Sequence, residues 1–142
     1  MKTVQWCSRD IFQSSHYYAL CVDEDDYINE MHRLGKKYPP PFTTNGTARG
    51  TTHFFDDKEG KPIALVCIHK DVIANNTGIE IAGLLCHEAV HIWQYIVDHI
   101  GEFNESKEFE AYCIQAIFSE LMWAYEDMVV KKTNKQKRKI KN

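Results

Sequence analysis

Residues 77–101 read TGIEIAGLLCHEAVHIWQYIVDHIG, and the fold turns on this stretch. Thr77 followed by Glu80 three residues on is a capping box, so a helix is predicted from about Gly78 to His99, ending near Gly101. Ile79, Ala82, Leu85, Ala89, Ile92, Trp93, Ile96, Val97 and Ile100 make it apolar nearly all round, which predicts a helix buried in the middle of a domain. Its polar residues are not scattered. Glu80, His87, His91, Gln94 and Asp98 recur at helical steps and share one narrow stripe.

Outward from this helix the pattern alternates between strands and helices. Downstream, a second helix is predicted from about Ser106 to Val130, with Ile114, Ile117, Leu121, Ala124 and Met128 on one face. Upstream, Thr51–Phe55 and Pro62–Ile68 read as strands joined by a turn carrying Gly60, an antiparallel hairpin. Pro39-Pro40-Pro41 opens a polar loop that runs through Gly50. Before it, Asp23 caps a helix to about Leu34 with an acidic first turn (Glu24, Asp25, Asp26) and Gly35 as its stop. Tyr27, Ile28, Met31 and Leu34 form its apolar face. His16–Val22 reads as a strand, Val4–Cys7 as a short strand, and Ile11 with Phe12 as the start of a turn.

The chain has 142 residues, 44% apolar and 26% charged, the size and mix of one folded domain rather than a disordered or fibrous protein. No apolar run reaches the ~18 residues of a membrane helix. The amino terminus has no apolar signal core, which predicts a non-secreted protein, and so the sequons at Asn45, Asn75 and Asn104 are read as chance. Five cysteines without a Cys-x-x-Cys pair fit a reducing compartment. The net charge of −3 hides an asymmetry: residues 131–142 hold seven of the 17 basic residues and no acidic one, so the tail is +7 and residues 1–130 are −10. An acidic body argues against a nucleic-acid-reading fold and leaves only the basic tail, read as disordered, to touch phosphate. The expected division is a domain over 1–130 and a tail over 131–142.

The chemistry sits on the polar stripe. His87-Glu88-Ala89-Val90-His91 is a His-Glu-x-x-His pattern, and two histidines at i and i+4 can grip one zinc ion. Glu88 is rotated about 100° from His87, so it can take a proton from a water beside the metal without being a ligand and later hand it to a leaving amine. A third ligand is needed. A third histidine six residues after His91 is ruled out, because Val97 stands there and Gln94 replaces the intervening glycine. Glu108, from the next helix, shares a face with Ala111, Tyr112 and Gln115 and is the expected third ligand. Glu110, on another face, is the fallback. A small Ala111 would let the two helices approach closely. Tyr112, one turn after Glu108, could hydrogen-bond a ligand histidine or a substrate oxyanion.

HEAVHIWQ followed by EFEAYCIQ resembles the glutamate-type zinc metallopeptidases (gluzincins), and more narrowly the small zinc-peptidase-like proteins encoded by tailed bacteriophages. The match covers about residues 77–120. The resemblance implies an α+β, minimal zincin-like single domain: a small antiparallel sheet packed on an active-site helix and a glutamate helix. It places Glu108 at the ligand position of Glu-x-x-Ala. Many gluzincins carry an aspartate four residues later, where this chain has Tyr112.

The expected activity is therefore zinc-dependent hydrolysis of a peptide bond in a protein or peptide substrate, with zinc on His87, His91 and Glu108, Glu88 as base and acid, and Tyr112 as a stabiliser. The hairpin could hold an extended peptide as an added strand. The rival reading is a phage accessory binding protein with a structural or inactive metal site. A third is a protease brought to nucleic acid by its tail. No membrane partner is expected, and the compartment implied is the cytoplasm, the host's if the protein is phage-encoded. Cys86 and Cys113 are read as core residues, His16, His32, His53 and His69 as surface or strand-face residues, and Asp98 and His99 as too far along the helix to share the ion.

Overall fold

Tyr17–Cys21 (YYALC) and Pro62–Ile68 (PIALVCI) have no polar residue to turn toward water, the pattern of strands covered on both faces. In the computed structural model, which describes residues 3–9, 16–46 and 48–131, they are the two inner strands of a four-stranded sheet. The strands are β1 (Val4–Trp6), β2 (Tyr17–Cys21), β3 (Gly50–Asp56) and β4 (Pro62–Ile68), in the order β1-β2-β4-β3. β1 with β2 and β3 with β4 are antiparallel, the latter being the expected hairpin. β2 and β4 are parallel. The sheet is thus mixed, and the expectation of a purely antiparallel sheet is corrected. The reason is the crossover: after β2 the chain runs through α1 (Glu24–Arg33) on one face before the hairpin brings β4 beside β2. The expected turn at Ile11 and Phe12, and the tail beyond Lys131, lie outside the described residues.

Strand alternation divides the core into two layers. Tyr18, Leu20, Val22, Ala64, Val66 and Ile68 face α3 (Gly78–Ile100) and α4 (Lys107–Tyr125). Ala19, Cys21, Ile63, Leu65 and Cys67 face α1 through Tyr27, Met31 and Leu34, with Phe42 from the proline-rich loop. The chain is an α+β domain with helices on both sides of the sheet. A short helix α2 (Lys70–Ala74), not among the expectations from sequence, links β4 to α3. No helix among the described residues is long and apolar enough to cross a membrane.

The helix ends follow their local chemistry. Asp23 accepts from the Asp26 amide at the start of α1, and Ser106 from the Phe109 amide at the start of α4. The Thr77–Glu80 capping box opens α3, and Gly101 closes it at φ 74°, a left-handed conformation that favours glycine. Beyond Tyr125 the last helix continues as a π-helical turn, Glu126–Val130.

Two expectations about the helices are corrected. α3 is not enclosed. Ile81, Leu85, Glu88, Ala89, Ile92, Trp93, Ile96 and Val97 are buried, while Cys86, His87, His91, Gln94, Asp98 and His99 are exposed, and Ile79 is 86% exposed. Only one side of the helix has the sheet and α4 to pack against, so its surplus apolar residues fall at the protruding ends. The α3–α4 contact also does not use Ala111, which is exposed. Cys113, Ala116 and Ile117 are the buried residues of that stretch.

Candidate metal centre

The i, i+4 spacing does bring the two histidines together. His87 Nε2 and His91 Nε2 lie 3.0 Å apart, with ring centroids 4.6 Å apart and planes at 82°. Two nitrogens on one tetrahedral zinc, each about 2.0–2.1 Å from the ion, are separated by about 3.3 Å, so the pair is already close to the spacing of one edge. His91 Nδ1 is 3.0 Å from Gln94 Oε1. An amide oxygen only accepts, so Nδ1 is the donor in that contact, and the Nε2 edge of the ring faces His87. That is how ligand histidines are commonly oriented, with the far ring nitrogen donating to a fixed acceptor. Both histidines are solvent-exposed, so the cost of burying imidazoles is not what singles them out.

Glu88 points elsewhere. It is 5% exposed and lies between α3 and β3, where its Oε2 accepts a hydrogen bond from Thr52 Oγ1. Gly50 and Phe54, the residues two positions either side of Thr52, share its strand face. A side chain at Gly50 would stand 3.3 Å from a Leu84 methyl, and the Phe54 ring packs on Tyr95 with centroids 4.4 Å apart. These contacts seat β3 under α3, with the Thr52–Glu88 bond between them.

The third-ligand candidates are not part of the pair. Glu108 and Glu110 are both exposed in the first turn of α4, and Tyr112 is 64% exposed. Among the described residues no three His, Cys, Asp or Glu side chains group as a metal site. α3 continues nine residues past His91, and the chain beyond Gly101 turns back so that Phe109, in the first turn of α4, rests against Trp93 with centroids 5.8 Å apart. Glu108 and Glu110 on either side of it stay exposed and do not group with the histidines. The residues present offer two histidine nitrogens at about the spacing of two zinc ligands; Glu88 faces β3, and the described residues do not complete a three-ligand set.

No protein-family model, curated protein or solved structure matches the chain.

Other sequence readings are settled by burial. Cys113 is buried as expected, whereas Cys86 is exposed rather than in the core. His16 is fully buried, not a surface residue. It packs edge-on against Tyr95 at 5.1 Å and His99 at 4.8 Å. Burial, and then the nearby His99, lower its pKa to about 4, with Asp56 opposing. His53 meets the Phe42 carbonyl at 3.0 Å, and His69 meets Thr43 Oγ1 at 3.2 Å, so both pin the loop after Pro41 to the sheet side. Sequence reasoning missed Thr52, which is 36 positions from Glu88 and has no local signature. Gln94 stood on the polar stripe, three residues after His91, and that spacing was the available signal.

Proposed function

We infer that the chain is a zinc-dependent peptidase in which His87 and His91 hold the metal and Glu88 is the general base. The observation that carries this reading is the 3.0 Å approach of the two Nε2 atoms, with Gln94 holding the His91 ring from its Nδ1 side. Zinc, when bound, would supply the Lewis acidity that makes water a nucleophile near neutral pH. Glu88 takes a proton from the attacking water and gives it to the amide nitrogen as the C–N bond breaks, leaving a carboxylate and an amine. Glu108 is the proposed third ligand, Glu110 its substitute and Tyr112 an oxyanion donor, and each requires the first turn of α4 to close on α3. β3 supports a peptide substrate class. It is one of the two edge strands among the described residues, it packs against α3, and an extended chain could add along it.

The test pairs metal content with cleavage. The purified protein should bind about one zinc per chain. Glu88→Gln should keep that zinc and lose cleavage of a fluorescent casein by about 10²–10⁴-fold. His87→Ala should lose both. Glu88→Gln with full activity ends the peptidase reading. A second reading, a binding protein with an inactive or structural metal site, is favoured by the separation of Glu108 and Glu110 from the pair. Zinc binding without any Glu88-dependent cleavage would select it.

A further inference from the structure

α4 is uncharged on two sides. From Ala111 to Tyr125 the chain holds a single charged residue, Glu120, and its carboxylate is occupied by the Ser8 amide at 3.2 Å. Cys113, Ala116, Ile117, Leu121 and Ala124 are buried in the core. The opposite side carries Tyr112 and Trp123, both more than half exposed, with Gln115 exposed between them and Ser119 and Met122 half-buried. A helix face that meets water is ordinarily charged, whereas an uncharged face holding Tyr, Trp and Met has the composition of the centre of a protein–protein contact.

Three observations select a second copy of this chain as the occupant. The first is spacing. Tyr112, Gln115, Ser119, Met122 and Glu126 recur at alternating steps of three and four, the seam by which two helices pack nearly in line. Ser119, in the middle of that seam, is small enough to let two helix axes approach. The second is charge. Residues 102–110 hold four acidic residues and one basic, a net −3, whereas residues 126–142 hold two acidic and seven basic, a net +5. An antiparallel copy sets each acidic end beside the basic end of its partner, which a parallel copy does not. The third is area. The face from Glu108 to Val130 is roughly 30 Å long and about 10 Å wide, and two such faces meeting remove roughly 1,000 Å² from water in total, the size at which a specific contact begins.

We propose that the outer face of α4 is a homodimer interface: two copies pair antiparallel along it, about a two-fold axis beside Ser119. Symmetry then fixes the pairs, because residues equally far on either side of Ser119 meet. Gln115 lies beside the partner's Trp123, and Tyr112 beside the partner's Glu126, to which its hydroxyl donates. The proposal is independent of the peptidase reading and needs no metal. The two meet only at Tyr112, which cannot serve this contact and an oxyanion at once.

The experiment is sedimentation velocity on the full chain with EDTA present, from about 1 to 100 μM, where contacts of this size are measured. A monomer of 16.6 kDa should give way to a species of twice that mass as concentration rises. Trp123→Glu should raise the dissociation constant at least about 100-fold, because the substitution enters a symmetric contact twice. Ser119→Arg brings two guanidinium groups together at the axis and should do the same; it serves if Trp123→Glu lowers the urea midpoint. Ile79→Glu removes an exposed apolar side chain elsewhere and should leave association unchanged. Ser119→Cys, in a Cys86→Ser background, should close a disulfide to its own counterpart when oxidised by glutathione disulfide. Gln115→Cys should not, since its counterparts lie about 12 Å apart along the helices. A chain that stays monomeric at about 100 μM overturns the proposal, as does association indifferent to both Trp123→Glu and Ser119→Arg. Self-cross-linking of Gln115→Cys as fast as that of Ser119→Cys overturns the antiparallel pairing.

Discussion

Gln94 and His16 show two ways in which surroundings act on an imidazole, one by orienting a ring and one by burying it. Gln94 accepts from His91 Nδ1 and so holds the Nε2 edge of the ring toward His87. Removing that acceptor should let the ring turn. Gln94→Leu is expected to weaken zinc binding by about 10–100-fold in competition with a chromophoric chelator, with Gln94→Glu retaining it. His16 is held neutral by its surroundings, with a pKa lowered to about 4 against the usual 6.5. The unfolded chain therefore binds a proton on this residue as pH falls from about 6.5 to 4 while the folded chain does not, so stability is lost across that window and unaffected above it. Burial and the His99 charge together should make the loss about 3 kcal/mol between pH 7 and 4. Urea unfolding of the parent and of His16→Gln at both pH values measures it, and the variant should lack this share of the pH dependence.

At the scale of elements, the capping box is the part of α3 written most locally. Thr77 and Glu80 satisfy each other's amides at the helix start, and Thr77→Ala should cost about 1 kcal/mol in urea unfolding. Leu85, fully buried between α3 and the sheet, should cost about 2–5 kcal/mol as Leu85→Ala. Features of this kind were legible in sequence because neighbours along the chain make them: the caps at Asp23 and Thr77, the helix start near Ser106, the glycine stops, the hairpin and the i, i+4 histidines. The parallel pairing of β2 with β4 was not, since it joins residues more than forty positions apart through a crossover. The unbroken apolar runs YYALC and PIALVCI carried the hint that both strands are covered on two faces. The exposed side of α3 escaped for a similar reason. Apolar content alone predicts an enclosed helix, but which side meets the sheet depends on the layers around it. Glu88 was legible as a candidate base from its spacing, and its bond to Thr52 depends on the tertiary seating of β3.

At the scale of the molecule, burial sorts the five cysteines. Cys21, Cys67 and Cys113 are buried, Cys7 is half-buried, and Cys86 alone is exposed. Desolvation raises the Cys7, Cys67 and Cys113 thiols, with Glu120 adding to the effect at Cys7, so their thiolate forms are scarce at neutral pH. A chromogenic disulfide reagent should therefore titrate one thiol rapidly in the native protein and all five in urea, and Cys86→Ser should remove the rapid one. The turn between β3 and β4, with the Asp57 carboxylate accepting the Glu59 and Lys61 amides at 2.8 and 2.9 Å, bears on the whole molecule too. It is the gauge block of the hairpin. Shortening it by one residue would slide the outer strand half a pleat, turning Phe54 toward the α1 layer and His53 toward Tyr95. Spacer length at a remote corner thus governs which chemistry faces the long helix.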